Sequence, residues 1–337
     1  MLDLPRPYLL FLGDVRETGY AKTAFGLRDW APELCVGEYA LPEATISTGL
    51  PALTPTEAYA RGARALVIGV ANFGGVILPS WVDALVEALR AGLDIVSGMH
   101  SPLSRVPVLD DTARRYGRRL VEVRVPPAII PTATGRRRSG RRLLTVGTDC
   151  ALGKKYAALA LARAFTARGL DTDFRATGQT GIMIAGRGIP MDAVVVDFEA
   201  GAAEMLSPNA APDHWDVIEG QGSIFHPSFA AVSLGLLHGS QPDVVVVCHQ
   251  PGRTALGGLP DYRVPSLEET IELTLRLGRL TNPMIRCGGI SLNTVHLDDA
   301  ERQRVLDEAG RSLGVPVADP MRPGSAFDQL VESCLGG

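Results

Sequence analysis

Short apolar runs alternate along the chain with longer segments in which apolar side chains recur at helical spacing. In the first third, the runs at 8–12, 65–70 and 93–96 predict buried strands, and helical spacing predicts a helix over 80–91. Strands that alternate with helices are typical of an α/β fold built on parallel sheets. We therefore expect a Rossmann-like N-terminal domain, although no G-x-G-x-x-G dinucleotide motif follows its first strand.

A stretch rich in proline and arginine at 126–142 lacks this periodicity and predicts the domain boundary. We place the N-terminal domain at 1–135 and the C-terminal domain at 136–337. The stretch ends in clustered arginines, which we interpret as a solvated linker: Arg136, Arg137, Arg138, Arg141 and Arg142.

The C-terminal domain repeats the alternation more regularly. Its predicted strands lie at 143–146, 172–175, 193–197, 216–219, 243–248, 284–290 and 315–318. Its predicted helices lie at 154–168, 228–237, 266–279 and 297–313. This order predicts a doubly wound parallel sheet of the P-loop NTPase type, whose first strand leads into a phosphate-binding loop.

That first strand runs into a glycine-bracketed loop from Gly147 to Gly153, and a helix follows from Lys154. Backbone N–H groups of such a loop, the helix dipole and the lysine together favour a bound phosphate. The loop departs from the usual G-x-x-x-x-G-K-[ST] motif, because five residues separate its glycines and Lys155 replaces the Mg²⁺-binding Ser or Thr. Cys150 could be a nucleophile near the helix N-terminus, but we favour a small packing residue.

Polar residues follow other predicted strands of this domain, at the edge of the sheet where α/β proteins bind ligands. Asp197 ends the predicted strand at 193–197, where a phosphate-loop enzyme could hold a metal ion. Glu219 ends the next strand and is a candidate base or an anchor for a substrate amine. Glycines and polar side chains at 176–181 and 220–223 would let the backbone approach a ligand closely.

Two histidines and one arginine are further candidates. His226 follows the Glu219 segment and His249 ends the next strand, so both could transfer protons near neutral pH. Arg253, in a glycine-flanked loop, suits a bidentate bond to a carboxylate or phosphate. The six histidines include no H-x-x-x-H pair, so a helical metal site is not expected.

The composition restricts the class of protein. With 46% hydrophobic and 21% charged residues, the 337-residue chain is an ordinary globular protein, and its net charge of −4 argues against nucleic acid as a partner. The five cysteines lack C-x-x-C spacing, so neither disulfides nor a zinc site is expected. No apolar stretch reaches about 18 residues, which argues against a membrane span. We expect a cytoplasmic homo-oligomer that has no membrane partner and acts on a small molecule.

The loop from Gly147 to Lys154 resembles the phosphate loop of dethiobiotin synthetases, and E-G-Q-G at 219–222 is similar to their E-G-x-G segment. The whole chain more closely resembles a bacterial family that includes D-glutamate N-acetyltransferases. The motifs of this second resemblance are A-K-T-A at 21–24, S-G-M-H at 97–100, V-G-T-D-C-A-L-G-K at 146–154, T-G-Q-T-G at 177–181, E-G-Q-G-S at 219–223, H-P at 226–227, L-H-G-S-Q-P-D at 237–243 and S-L-N-T at 291–294. Near the boundary, the family's D-V-R-K-P-P is changed at Glu122 and Val125.

This resemblance implies an N-acetyltransferase that moves an acetyl group from acetyl-CoA to an acidic amino acid such as D-glutamate. Acetyl-CoA transfers no phosphoryl group, so its site does not require the Mg²⁺ ligand that Lys155 replaces. The implied cofactor site consists of Gly147, Thr148, Asp149, Cys150, Gly153, Lys154, Lys155 and Asn293. The implied substrate site consists of Lys22, Thr177, Gln179, Gln221, Ser223 and Arg253.

The same resemblance implies that a base removes the amine proton and that N–H donors hold the developing oxyanion. We predict Glu219 or His226 as the base. The N–H groups of the loops at Gly178 or Gly220 are the predicted oxyanion donors.

Two other functions fit the sequence. A Mg-ATP-dependent ligase or kinase of the dethiobiotin synthetase type requires Mg²⁺, for which the available ligands are Thr148, Asp149, Asp197 and Glu219. A non-enzymatic nucleotide switch requires only phosphate binding and a movement between the domains. A switch needs no separate site for an amine and a carboxylate, so the number of polar strand-end loops favours an enzyme.

Overall fold

The computed structural model describes residues 3–72 and 74–336. The chain forms two compact units. One unit contains the chain up to Val125 together with Gln179–Pro190, and the other contains Pro126–Gly178 together with the chain from Met191 onwards. The sequence predicted a single division after residue 135. It did not predict that Gln179–Pro190 belongs to the first unit.

The first unit is built on a parallel sheet. Its strands are β1 (Tyr8–Gly13), β2 (Cys35–Ala40), β3 (Ala65–Ile68), β4 (Asp94–Ser97) and β5 (Leu120–Glu122). Its first helices are α1 (Lys22–Trp30), α2 (Pro55–Ala60), α3 (Val82–Arg90) and α4 (Pro107–Tyr116). The five strands have the order β2-β1-β3-β4-β5, and every residue of β1 is buried, as expected for a strand covered on both faces.

The remaining strands and helices follow β5 in the chain, and all of them except one helix belong to the second unit. The strands are β6 (Arg141–Gly147), β7 (Thr172–Arg175), β8 (Trp215–Ile218), β9 (Val244–His249), β10 (Ala255–Leu256), β11 (Leu259–Arg263), β12 (Arg286–Leu292) and β13 (Val317–Ala318). The helices are α5 (Lys154–Ala167), α6 (Gln179–Ala185), α7 (Val196–Leu206), α8 (Ala230–Ser240), α9 (Leu267–Gly278), α10 (Asp299–Leu313) and α11 (Ser325–Leu335). Of these helices, α6 belongs to the first unit.

A six-stranded parallel sheet forms the centre of the second unit, with the order β13-β12-β9-β6-β8-β7. Leu143 in β6 pairs with Val217 in β8 on one side and with Val244 in β9 on the other. The rings of Phe165 in α5 and Trp215 in β8 pack edge to face at 5.1 Å, in the core behind β6. The central position of β6 places the loop that follows it beside the ends of β8 and β9.

These sheets confirm the predicted fold class of a Rossmann-like domain followed by a doubly wound P-loop domain. The predicted strands at 143–146, 172–175, 216–219 and 243–248 correspond to β6, β7, β8 and β9. For β6 and β9 the apolar runs were sufficient, because both strands lie inside the sheet and are mostly buried.

The strand predicted at 193–197 is wrong. A short 3₁₀ helix covers Met191–Ala193, and α7 begins at Val196. Three consecutive valines favoured a strand, but Val196 is 63% exposed. The buried side of the segment is a helical face that includes Ala202 and Leu206. Tertiary packing of that face therefore overrides the local β preference.

The interpretation of the arginine cluster as a solvated linker is wrong for part of it. Arg136 is exposed, but Arg142 in β6 is fully buried. Its guanidinium donates to the carbonyl oxygens of Ser139 at 2.8 Å and Pro208 at 3.1 Å. Burial lowers the pKa of Arg142 to about 10. A buried guanidinium requires such acceptors, and they come from loops that the local sequence does not identify.

Candidate functional site

The predicted phosphate loop lies between β6 and α5, in the arrangement that the sequence predicted. A side chain at Gly147 would come within 3.0 Å of the carbonyl oxygen of Cys248 in β9. The Thr148 N–H donates to that same oxygen at 3.1 Å. At the other end, Gly153 has a φ of 106°, in the left-handed region that favours glycine. These contacts explain why both ends of the loop are glycines.

The Lys154 side chain is buried against the loop. Its Nζ donates to the carbonyl oxygen of Asp149 at 2.7 Å, and a methyl group at Gly220 would lie 3.1 Å from its Cδ. Burial lowers the pKa of Lys154, while charges at Cys150, Cys248 and Asp149 oppose that shift. The side chain therefore places its amine at the loop, close to the ends of β6 and β8.

The Asp149 carboxylate is fully buried and ties the loop to the β10–β11 hairpin. Its Oδ1 accepts the Cys150 N–H at 2.6 Å, and its Oδ2 accepts the Gly257 N–H at 2.7 Å. The Nε of Arg253 lies 3.1 Å from Oδ2, and its Nη1 donates to the Cys150 carbonyl oxygen at 2.9 Å. Arg253, predicted to bind a substrate carboxylate or phosphate, binds the loop's own aspartate in this structure.

Glu219 follows β8 and is buried. Its Oε2 accepts the backbone N–H groups of Thr177 at 2.9 Å and Gly178 at 3.1 Å. Burial raises the pKa of the Glu219 carboxyl, and the charge of Lys155 together with these hydrogen bonds opposes the shift. The carboxylate is therefore held in one orientation and is a stronger base than an exposed glutamate.

The two predicted oxyanion donors are both engaged within the protein. The Gly178 N–H donates to Glu219, and the Gly220 N–H donates to Oγ1 of Thr145 at 2.9 Å. In this arrangement the two groups hold the Glu219 carboxylate and the strand end in place. The Nε2 of Gln221, a predicted substrate contact, donates to Oγ1 of Thr177 at 3.0 Å.

His226, the second predicted base, is buried with both ring nitrogens bonded. Its Nδ1 accepts the Ser228 N–H at 3.1 Å, and its Nε2 lies 3.2 Å from the carbonyl oxygen of Gly257. Because a carbonyl oxygen only accepts, Nε2 must carry the proton and the imidazole is neutral. Because the lone pair of Nδ1 and the N–H of Nε2 both take part in these hydrogen bonds, Glu219 is the better candidate for the base.

His249 ends β9 beside the loop. Its Nδ1 lies 2.9 Å from Oγ1 of Thr148. Burial lowers the pKa of His249, and the charge of Arg253 lowers it further. His249 is therefore a neutral hydrogen-bond partner of the loop.

The remaining predicted residues occupy three places. Lys22 begins α1 and Gln179 begins α6, both in the first unit, where Arg124 donates to Oε1 of Gln179 at 2.9 Å. Asn293 follows β12, and its N–H donates to the His249 carbonyl oxygen at 2.8 Å. Ser223 is buried three residues beyond Gly220.

Asp197 was one of four candidate ligands in the metal alternative. This residue is exposed in the first turn of α7, so the strand end that suggested a metal ligand does not exist. Within 3–72 and 74–336, two groups of side chains are close enough to share a metal ion, and neither includes Asp197 or Glu219: Asp149, Cys150 and His226, and Asp173, His214 and Asp216.

Gly257 is a functional candidate that the sequence reasoning missed. Its N–H binds Asp149 and its carbonyl oxygen accepts from His226. The residue thus joins the loop to the buried histidine. The adjacent pair Gly257-Gly258 was the only local signal, and a glycine pair by itself is typical of any turn.

The fold and the site define a two-domain α/β protein with a Rossmann-like domain and a P-loop domain. Two family models match the chain, a Rossmann-like domain of unknown function (DUF1611_N) over 35–126 and a P-loop domain of unknown function (DUF1611_C) over 130–331. The chain belongs to the DUF1611 family.

Several relatives match nearly the whole chain. It is 50% identical over 319 residues to a protein of Tritonibacter scottomollicae named D-glutamate N-acetyltransferase, covering 95% of this chain and 96% of the relative. It is 46% identical to a Pseudoalteromonas protein of the same name, covering 96% and 97%. The crystal structure of a DUF1611 family protein from Anabaena variabilis superimposes with a TM-score of 0.87 at 32% identity, covering 98% and 100%.

These named relatives confirm the prediction of an enzyme of the acyltransferase class. Among the helices in the described ranges, none has both the length and the apolar character needed to cross a membrane. The cytoplasmic location and the homo-oligomeric state stay predictions.

Proposed function

We propose that this protein transfers the acetyl group of acetyl-CoA to the amine of an acidic amino acid such as D-glutamate. The observation that carries the proposal is the buried, hydrogen-bonded Glu219 carboxylate next to a phosphate-type loop whose metal-binding hydroxyl is replaced by Lys155. A base and an anion site without the usual Mg²⁺ ligand fit amine acylation better than phosphoryl transfer.

The loop suits the phosphates of coenzyme A. The N-terminus of α5 favours negative charge, and Lys154 adds a full positive charge beside it. Lys155 adds a second cation at the position where phosphoryl-transfer enzymes bind Mg²⁺ through a hydroxyl. This charge suits an anionic ligand that binds without a metal ion.

Glu219 suits the proton transfer. An amino acid reaches the enzyme as an ammonium ion, and only the neutral amine attacks a thioester carbonyl. Burial raises the pKa of Glu219, which strengthens it as a base. The N–H groups of Thr177 and Gly178 fix Oε2, and we assign proton acceptance to the carboxylate that they orient.

The proposed acceptor is an acidic amino acid, which the names of the two relatives support. Either Arg253 or Lys22 stays our proposed contact for its carboxylate, since carboxylate recognition favours a lysine or arginine.

A thiol-release assay tests the proposal. The purified protein is mixed with acetyl-CoA and, separately, with the D- and L-forms of glutamate, aspartate and alanine, and free coenzyme A is measured. We expect release that depends on an acidic amino acid and yields the N-acetylated product in equal amount. Thiol release at the uncatalysed rate with all six amino acids would contradict the proposal.

Calorimetry separates the alternatives. We expect acetyl-CoA to bind and Mg·ATP to bind more weakly or without detectable heat. Tight binding of Mg·ATP without binding of acetyl-CoA would favour a ligase or kinase. Binding of either nucleotide without any turnover would favour a switch.

A further inference from the structure

Cys150 lies in the middle of the phosphate loop and is half-buried. One ligand-type atom of each of Asp149, Cys150 and His226 lies within 4.8 Å of the other two. The thiol, a carboxylate and an imidazole thus converge from the loop after β6 and the segment after β8. A thiol in this position is a candidate nucleophile, but His226 does not serve as its base, because both ring nitrogens are bonded to Ser228 and Gly257.

Two cationic side chains lie at the loop that carries Cys150. Asp149 is paired with Arg253 at 3.1 Å, so its negative charge is already matched. Lys154 is the second of these side chains, and its Nζ donates to the Asp149 carbonyl oxygen at 2.7 Å. A thiolate at Cys150 would match this second cation. The N-terminus of the 14-residue helix α5 also favours a thiolate there.

The surroundings of the other cysteines are different. Burial raises the pKa of Cys35, Cys248 and Cys334 to about 12 in each case. Burial also raises the pKa of Cys287. These four thiols stay protonated at neutral pH, and protonated thiols are poor nucleophiles.

A metal ion fits the same cluster less well. The two ring nitrogens of His226 are already bonded, to the Ser228 N–H and to the Gly257 carbonyl oxygen. A divalent cation would also lie close to Arg253 and Lys154, which carry positive charge of their own. Repulsion between these charges in a buried site makes the thiolate the better interpretation.

We propose that Cys150 is the acetyl carrier of the reaction, so that transfer occurs in two steps through an acetyl-cysteine thioester. This inference rests on the proposed acetyltransferase function. In the first step, the Cys150 sulfur attacks the carbonyl carbon of acetyl-CoA, a new C–S bond forms, the C–S bond to coenzyme A breaks, and coenzyme A leaves as a thiolate that takes a proton from water.

In the second step, the neutral amine of the acceptor attacks the carbonyl carbon of acetyl-Cys150. The C–N bond forms, the C–S bond to Cys150 breaks, and the Cys150 thiolate is restored. The proton lost by the amine nitrogen goes to Glu219 and then to solvent. The two steps together consume one acetyl-CoA and one amine and give one amide and one coenzyme A.

The test is a search for the acetylated enzyme. The full-length protein is incubated with acetyl-CoA without an acceptor, quenched in acid and analysed by intact mass spectrometry. We expect the mass to increase by one acetyl group, the adduct to map to Cys150, and neutral hydroxylamine to remove it. Adding D-glutamate before the quench should discharge the adduct.

Two cysteine variants serve as a matched pair. Cys150→Ala should form no adduct and should lose at least about 1,000-fold in transfer rate, as expected when a catalytic nucleophile is removed. It should keep its circular dichroism spectrum and its binding of acetyl-CoA. Cys35→Ala, which removes a thiol from the first unit, should form the adduct and turn over normally.

Three results would overturn the inference. A wild-type transfer rate in Cys150→Ala, or intersecting double-reciprocal plots with no adduct, would indicate direct transfer and would leave the proposed function intact. One equivalent of zinc bound through Cys150, again without an adduct, would assign the cluster to a metal ion. No reaction of the wild-type protein with acetyl-CoA under any condition would remove both the inference and the proposed function.

Discussion

Two buried glutamates of the second unit have similar exposure and different surroundings. Glu219, at the end of β8, is 4% exposed, and Glu199, in α7, is 5% exposed. Burial raises the pKa of both carboxyls, and that of Glu199 reaches about 7. Glu219 accepts two backbone N–H groups and lies near the charge of Lys155. Glu199 packs against Gly235 of α8, and burial is the cause of its pKa shift.

The difference shows that burial alone does not make a carboxyl a candidate base. A raised pKa occurs wherever a carboxyl loses water, and Glu199 lies in a helix at a point where it packs against α8. Proton transfer also requires a fixed carboxylate next to the place where a substrate binds. Only Glu219 of this pair combines the raised pKa with oriented N–H donors and with the loop after β6.

The largest effect on stability should come from a side chain introduced between the end of β8 and β6. A Cβ at Gly220 would lie 1.7 Å from the backbone oxygen of Thr145. We expect Gly220→Ala to lower the free energy of unfolding by more than about 3 kcal/mol, because the backbone of a central strand must move. Urea denaturation measures it, and loss of soluble protein is the same result in a stronger form.

Gly235→Ala is the matched variant in the other region. Its Cβ would meet side-chain atoms of Glu199 at 2.7 and 2.8 Å. The Glu199 carboxylate can turn away, but its Cβ is fixed to the backbone, so α7 and α8 must separate slightly; alanine improves helix propensity by about 1 kcal/mol and offsets part of this cost. We expect a net loss of about 1 to 2 kcal/mol, smaller than that of Gly220→Ala. Equal losses in the two alanine variants would contradict the difference between the regions.

A smaller effect should follow the ionisation of Glu199. Its pKa is raised from 4.5 to about 7 in the folded protein. The folded state therefore binds the proton more tightly than the unfolded state, so stability is greatest below pH 4.5 and falls as the pH rises through about 7. Glu199→Gln stays neutral and should be more stable than the wild type at pH 8, by about 2 kcal/mol.

Urea denaturation of Glu199→Gln and of the wild type at pH 5 and pH 8 checks this result. The stability difference should shrink at the lower pH, because the wild-type carboxyl is then protonated. A difference that is the same at both pH values would mean that Glu199 does not titrate with a raised pKa.

The smallest effect should be a change in the pH profile of the reaction. The charge of Lys155 lowers the pKa of Glu219 against the effect of burial. Lys155→Met should therefore raise that pKa and move the acidic limb of kcat/KM to higher pH, since the base must be ionised to act. An unchanged or oppositely shifted limb would show that Lys155 does not act on Glu219. Lys155→Arg keeps the charge and should restore the wild-type limb.

The fold and the loop could be predicted because their signals are local. A buried run, two glycines and a lysine follow one another within 143–154, and the structure places them as β6, loop and α5. Prediction was wrong where tertiary packing decides. The valines at 194–196 lie before and at the start of a helix, and the buried Arg142 donates to the carbonyl oxygens of the nearby Ser139 and of Pro208, 66 residues away.

The hydrogen-bond partners of the site residues could not be predicted either, because they too depend on tertiary packing. Asp149 binds Arg253 and Gly257, which lie about a hundred residues further along the chain. The bond that occupies Nε2 of His226 also depends on that hairpin. The sequence identified Glu219 and His226 as equal candidates for the base, and only the hydrogen-bond geometry distinguishes them.

The most direct test of the account compares kcat/KM for acetyl transfer in Glu219→Gln and Glu199→Gln. Both variants replace a buried carboxyl by an amide of the same shape. We expect Glu219→Gln to lose about 100-fold or more, the usual contribution of a general base, and Glu199→Gln to stay near the wild-type value. Near wild-type turnover in Glu219→Gln, or an equal loss in both variants, would contradict the assignment of Glu219 as the base.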